Sequence, residues 1–196
     1  SVGMAPDEQT LVDFKYRLLS ATDNTFLALG LGWEQNRFGA DGDASGARVM
    51  AASAPLQRKV QLEMGGKNAL IAYPDQDPAL IAAGAIGGMN LTWAGQSCGS
   101  TSRVFLHATH YDQVLSRILE GTKAYRPGAP TDPKTTMGPL ISQAQYDKVL
   151  RYIGYGVEDG ARLEIGGKPC NAPGFEKGFF IEPTVFGEVT MDMRIA

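Results

Sequence analysis

The sequence predicts an α/β protein, a parallel or mixed sheet flanked by helices and preceded by a mainly helical N-terminal segment. Three observations point there. From residue 56 onward, short strand-type runs alternate with helical runs, the order that builds a sheet with crossover helices. Hydrophobic residues make up 43% of the 196 positions and charged residues 20%, enough for a sizeable core. Before residue 40 the pattern differs: Leu11, Val12, Phe14, Leu18 and Leu19 fall on roughly one helical face.

The elements follow in order. An apolar patch, "TFLALGLGW", occupies 25–33, and the polar, Gly-rich "EQNRFGADGDASG" at 34–46 reads as a loop or linker. "ARVMAAS" is a short helix that must end before Pro55. "KVQLEMGG" alternates Val60, Leu62 and Met64, as a strand does, and stops at Gly65 and Gly66. A helix starts at Pro78, with Asp77 as its N-cap. No charge lies between Pro78 and Trp93, so this helix should be buried on most sides. Gly84, Gly87 and Gly88 each cost it up to about 1 kcal/mol relative to Ala, which close backbone packing would offset.

"SRVFLHA" is a strand with Val104 and Leu106 on one face. Thr109 and Asp112 have the spacing of a capping box for the next helix, whose apolar stripe is Val114, Leu115, Ile118 and Leu119. Ser142 and Gln145 repeat the device before Tyr146, Val149, Leu150 and Ile153, and Gly154 or Gly156 can stop that helix. "ARLEIGG" and "GFFIEPTVF" are short strands divided by the turn-rich "GGKPCNAPGFEKG".

Charge and cysteine content exclude several classes. The net charge is −3 and no Lys/Arg run exists, which argues against nucleic acid or an anionic membrane as a partner. No apolar stretch reaches membrane-spanning length, and the start carries no signal-peptide pattern. Two cysteines make no disulfide framework, so a reducing, cytoplasmic location is expected. The Ser-Val-Gly ahead of Met4 reads as leftover residues before a natural start.

Two residues carry candidate chemistry. Cys98, in "AGQSCGSTSR", lies between a buried helix and a strand, among small residues that leave room for a substrate carbon. A thiol attacks as its thiolate, which local amides or a nearby base can favour. The bland alternative is an inert loop thiol. Glu63 stands on the polar parity of a strand that runs into two glycines. A carboxylate there is either a general base raised by desolvation or a solvated outward residue. His107, His110 and Asp112 are too few for a metal centre, and no metal is expected. Cys170 is a spare thiol, Trp93 a core side chain rather than a pocket wall, and Arg103 a structural cation pairing with backbone or a carboxylate. "GGK" at 166–168 is a turn, because no phosphate-loop spacing surrounds it.

Taken together, "LEMGGKNALI" at 62–71 and Cys98 within "GQSCGSTSR", 35 positions after Glu63, resemble the aldehyde dehydrogenase superfamily. Met64 replaces the usual Leu of its Glu-Leu-Gly-Gly-Lys signature. "DPKTTMGPLIS" at 132–142, "GGK" at 166–168 and the closing "FFIEPTVFGEVTMDMRIA" extend the likeness from about Ala44 to Ala196. The resemblance implies an aldehyde dehydrogenase-like catalytic-domain sheet, here incomplete. Residues 1–40 would be an N-terminal segment of unassigned origin, 41–65 the remnant of a cofactor-binding domain, and 66–196 a partial catalytic domain.

The resemblance also implies the chemistry. Cys98 would attack an aldehyde carbonyl to give a thiohemiacetal, NAD or NADP would take the hydride, and water activated by Glu63 would hydrolyse the thioester. The Cys98 N–H would supply half of an oxyanion hole, and Met64 and Gly65 would lie near the nicotinamide. Departures from the family pattern limit this reading. The upstream asparagine and lysine have no counterpart here, "FGADGDASGARVM" replaces the Phe-Thr-Gly-Ser-Thr segment, and "MRIA" stops ahead of a Glu-x-Phe-Gly-Pro segment. Binding of the cofactor by this chain alone is therefore doubtful. The alternative expectation is a non-catalytic relative whose bare sheet edges are covered by a second copy or a partner, or one that keeps only thiol esterase activity.

Overall fold

In the computed structural model, residues 26–29, 44–62, 65–171, 174–175 and 178–196 are described. A mixed five-stranded sheet has the order β2-β3-β1-β5-β4. Its strands are β1 (Phe26–Leu29), β2 (Asn68–Ile71), β3 (Thr101–Phe105), β4 (Arg162–Ile165) and β5 (Val185–Val189). β2 runs parallel to β3, with Leu70 opposite Val104. The remaining pairings are antiparallel: Leu27 opposite Val104, Ala28 opposite Phe186, and Leu163 opposite Phe186 on the far side of β5.

The helices are α1 (Ala44–Ser53), α2 (Pro78–Gly88), α3 (Tyr111–Thr122) and α4 (Gln143–Glu158). Of these, α2, α3 and α4 cover the two faces of the sheet, because neighbouring strand residues point opposite ways. On one face, Val104 and Val185 meet Ile81, Ala82 and Ala85 of α2 and Val114, Leu115 and Ile118 of α3. On the other, Phe105 and Phe186 meet Val149 and Ile153 of α4, together with Met137, Leu140 and Ile181. Each such aliphatic side chain taken fully out of water contributes about 1.5–3 kcal/mol. Among the described residues, no helix is long and apolar enough to cross a membrane.

Local signals explain several boundaries. The Asp77 side chain accepts from Ala79 N at 2.8 Å, with Pro78 at the first helical position. Ser142 Oγ accepts from Gln145 N at 3.2 Å and starts α4. The α3 stripe is buried where the spacing predicts it, at Val114, Leu115 and Ile118.

Other expectations need correction. Lys59–Leu62 form no strand, and Val60 and Leu62 are each 36% exposed. Alternation needs a neighbouring ladder to become a strand, and none of the described strands pairs with them. The Thr109 capping box does not form. A 3-10 turn over Ala108–His110 precedes α3, and Thr109 Oγ1 is engaged by His107 Nδ1 at 2.9 Å. Neither Gly154 nor Gly156 stops α4, which continues to Glu158, two residues before Gly160 at φ +92°. A Cβ on Gly156 would lie 3.0 Å from the Phe186 ring, so that glycine serves packing against β5. Of the α2 glycines, Gly88 makes a close approach, with an added Cβ only 2.3 Å from Thr101 Oγ1, whereas Gly87 faces open space. In the segment expected to be mainly helical, Phe26–Leu29 is a strand. The helical face expected at 7–19 lies outside the described residues.

Candidate active site around Cys98

The Cys98 loop is built by backbone that few residues adopt. After α2, Asn90 (φ 56°), Ala94 (φ 54°) and Gly95 (φ 70°) all take left-handed conformations around the short 3-10 helix Leu91–Trp93. Non-glycine residues enter that region at a cost, so the surrounding contacts must hold them there. Ala94 is buried against the α4 side of the core, and Ser100 Oγ donates to the Gly95 carbonyl at 3.3 Å. The Gly88–Thr101 approach brings the end of α2 against the start of β3, and the chain between them loops back, with Met89, Leu91 and Ala94 buried and residues 98–99 projecting outward. Cys98 lies on this projection as an exposed free thiol.

Side-chain amides brace the loop from two directions. Gln96 Nε2 donates to the Trp93 carbonyl at 3.0 Å and the Pro139 carbonyl at 3.2 Å, while its Oε1 accepts from Ile141 N at 2.9 Å. From the other side, Asn68 Nδ2 donates to the Cys98 carbonyl at 2.6 Å and the Ser100 carbonyl at 3.3 Å. Gly99 N donates to Ser97 Oγ at 3.2 Å. The Cys98–Gly99 peptide is thus held at its carbonyl and at its N–H. The Cys98 N–H itself donates to no backbone carbonyl among the described residues.

The Gly-Gly-Lys-Asn turn beside the loop shows why its small residues are needed. Gly65 has φ +96°, a conformation that favours glycine. A Cβ on Gly66 would stand 3.3 Å from Asn68 Oδ1 and 3.7 Å from the Cys98 carbonyl oxygen. Lys67 Nζ donates to the carbonyls of Ile195 and Ala196, and the Lys67 carbonyl accepts from Arg103 Nη2. Arg103 therefore pairs with backbone, as expected of a structural cation, and burial lowers its pKa. Its Nε is buried without a partner among the described residues.

Of the residues predicted from sequence, the structure brings Gly65 and Cys98 to the same end of the sheet through Asn68. Glu63 and Met64 lie outside the described residues. Trp93 is 61% exposed beside the loop, so it is not the core side chain expected. His110 Nε2 lies 2.7 Å from the Pro74 carbonyl, and His107 caps its own turn. Sequence reasoning did not single out Asn68, Gln96 or Ser97. Gln96 and Asn68 stand inside the quoted motifs, yet nothing in the motifs says which carbonyls their amides reach.

Cys170 belongs to a different place. It lines an open cleft of about 610 Å³ with Tyr125, Arg126, Lys168, Phe175 and Glu182, none of them from the Cys98 loop. Burial, with a smaller push from the Glu182 carboxylate, raises its thiol to about 11. The Gly166–Gly167 turn leading there has φ +78° and +82°, and a Cβ on Gly166 would strike the Pro183 carbonyl.

Comparison with known proteins agrees with the motif reading. Residues 42–196 match the model of the aldehyde dehydrogenase family. The chain is 51% identical over 157 residues to aldehyde dehydrogenase tropH of Talaromyces stipitatus, a match covering 78% of this chain and 30% of that protein. It is 43% identical over 152 residues to betaine aldehyde dehydrogenase of Mesorhizobium japonicum, covering 78% and 31%. Among solved structures, the NAD+ complex of an aldehyde dehydrogenase from Mycobacterium tuberculosis superposes with a TM-score of 0.69 at 37% identity, covering 78% of this chain and 31% of that one. The NAD+ complex of the Bacillus cereus enzyme gives 0.67 at 38%, covering 77% and 30%. The chain thus spans about a third of the length of the relatives it matches.

Proposed function

The chain belongs to the aldehyde dehydrogenase family, and on that premise we propose that it carries the nucleophile half of an aldehyde-oxidising site, with Cys98 as the attacking thiol. The observation that carries this reading is the exposed Cys98 on a loop braced by Asn68 and Gln96, next to the Gly65–Gly66 turn. Attack forms the S–C bond and moves the carbonyl π pair onto oxygen, giving a thiohemiacetal. The Cys98 N–H, directed to no backbone acceptor among the described residues, is free to stabilise that oxygen. A single such donor is often worth about 10²–10³ in rate.

NAD or NADP, when bound, would accept the hydride from the thiohemiacetal carbon. Backbone at Gly65, without a side chain and close to the loop, suits the approach of a flat ring, with Met64 next to it in sequence. Glu63 would take a proton from the water that attacks the thioester, and cleavage of the C–S bond would return the thiol.

The substrate class is a small aldehyde and the product its carboxylic acid. Residues 41–65 are read as the remnant of a cofactor-binding domain and 66–196 as a partial catalytic domain, in a cytoplasmic protein. The test is NADH or NADPH formation from an aldehyde at high protein concentration. Activity should vanish in Cys98→Ser; a Cys98→Ser variant as active as wild type would sink the assignment.

One observation favours association as well. Val49, Met50, Leu56, Ile71 and Leu80 are large apolar residues left exposed. Such surface invites a second copy of the chain or another partner. Light scattering that finds only monomers at all concentrations would remove this reading.

A further inference from the structure

We propose that Asn68 is a positioning residue for carbonyl addition at Cys98: its carboxamide fixes the Cys98–Gly99 peptide, and so sets where the Cys98 N–H points. The inference rests on the reading of Cys98 as nucleophile.

Asn68 Nδ2 reaches the Cys98 carbonyl at 2.6 Å and the Ser100 carbonyl at 3.3 Å, spanning the turn that carries the thiol. The opposite end of the same peptide is tied by Gly99 N to Ser97 Oγ at 3.2 Å. A peptide unit is planar, so holding its oxygen and its N–H fixes its plane. The Cys98 N–H belongs to the preceding peptide, whose Ser97 carbonyl accepts from Ser100 N at 3.2 Å, so both planes flanking the Cys98 Cα are tied into the same turn. Asn68 is itself anchored at the first residue of β2, opposite Thr101 on β3, so the clamp stands on the sheet rather than on another loop. Gly66 leaves room for the amide, since a Cβ there would stand 3.3 Å from Asn68 Oδ1, while its 3.7 Å to the Cys98 carbonyl would be ordinary contact. Only a side chain with N–H donors fits this role. An aspartate of the same shape would face two carbonyl oxygens with lone pairs of its own.

The consequence is specific to carbonyl addition. Alkylation of the thiol by iodoacetamide breaks a C–I bond, expels iodide and develops no oxyanion. Addition to an aldehyde forms the S–C bond, puts the π pair on oxygen and ends with the thiol proton there, and in that adduct a correctly aimed Cys98 N–H donates to the new oxygen, a bond worth about 1 kcal/mol. Loss of the Asn68 donor should separate the two reactions.

The experiment uses the full chain and no cofactor. Cys98 alkylation by iodoacetamide is followed by peptide mass spectrometry, with and without propanal as a reversible competitor. In Asn68→Ala and Asn68→Asp the alkylation rate without aldehyde should stay within about 2-fold of wild type, while the propanal concentration giving half protection rises by about 5-fold or more. Ser97→Ala, which cuts the other tie, should shift protection in the same direction and serves if an Asn68 variant fails to fold. Unchanged protection in Asn68→Asp overturns the proposal. So does a parallel fall of alkylation and protection, which would make Asn68 a support for the fold alone. A wild-type Cys98 that propanal never protects overturns instead the nucleophile reading beneath it.

Discussion

Gln96 and Ile141 are joined across 45 residues of sequence, with Ile141 N donating to Gln96 Oε1 at 2.9 Å. The same side chain donates to the Pro139 carbonyl at 3.2 Å, so one amide ties the Cys98 loop to the segment that leads into α4. Hydrogen bonds of this kind contribute about 1 kcal/mol each, less where water can replace them. Gln96→Ala should therefore cost about 1–2 kcal/mol in urea unfolding and speed proteolysis within the loop. A midpoint that does not move, with an unchanged cleavage pattern, would show that the brace is not structural.

The two glycines of α4 should respond to alanine with opposite signs. Gly154 has nothing within 4 Å of an added Cβ, so Gly154→Ala gains helix propensity, up to about 1 kcal/mol. Gly156→Ala gains the same propensity but drives a methyl to 3.0 Å from the Phe186 ring and 2.9 Å from Ile195 Cδ1. Overpacking of a core costs about 1–3 kcal/mol, so the net effect is a loss. Thermal melts of the two variants decide it, and equal shifts in the same direction would contradict the packing at β5.

Cys170 should react only at high pH. Burial, then the Glu182 carboxylate, raises Cys170 to about 11, so its thiolate is scarce at neutral and mildly alkaline pH. Cys170 alkylation should climb only as pH approaches 11, and Glu182→Gln should bring that onset down slightly. Because the folded thiol is raised, its contribution to stability is intact below the unfolded thiol's pKa and is lost as pH rises toward the folded value. Rapid labelling of Cys170 near neutral pH would show that the site is not shielded as described.

What was legible in the sequence follows from how local each signal is. Asp77 and Ser142 start helices because a cap bonds an amide two or three residues away, and both caps are present. The apolar stripe of α3 is likewise written in spacing alone. Thr109 failed because His107, two residues back, took its hydroxyl first. Gly156 reads as a helix stop until Phe186, thirty positions on, is placed against it. The Val60–Leu62 alternation needs a partner strand that local sequence does not specify. The site divides the same way. The paired motifs point to Cys98 as the candidate; of the clamp on its peptide, the Ser97 tie is local, two residues from Gly99, whereas Asn68 reaches the Cys98 carbonyl only once β2 lies beside β3.

Cys98 as a nucleophile toward a carbonyl is the proposal on which the other roles depend. Brief exposure of the chain to p-nitrophenyl acetate, followed by acid quench and peptide mass spectrometry, measures this without any cofactor. The predicted result is a burst of p-nitrophenol with one acetyl group on the Cys98 peptide and none on Cys170, and loss of both in Cys98→Ser. Acetylation of Cys170 in preference to Cys98, or no burst and no labelled Cys98 peptide, would contradict it.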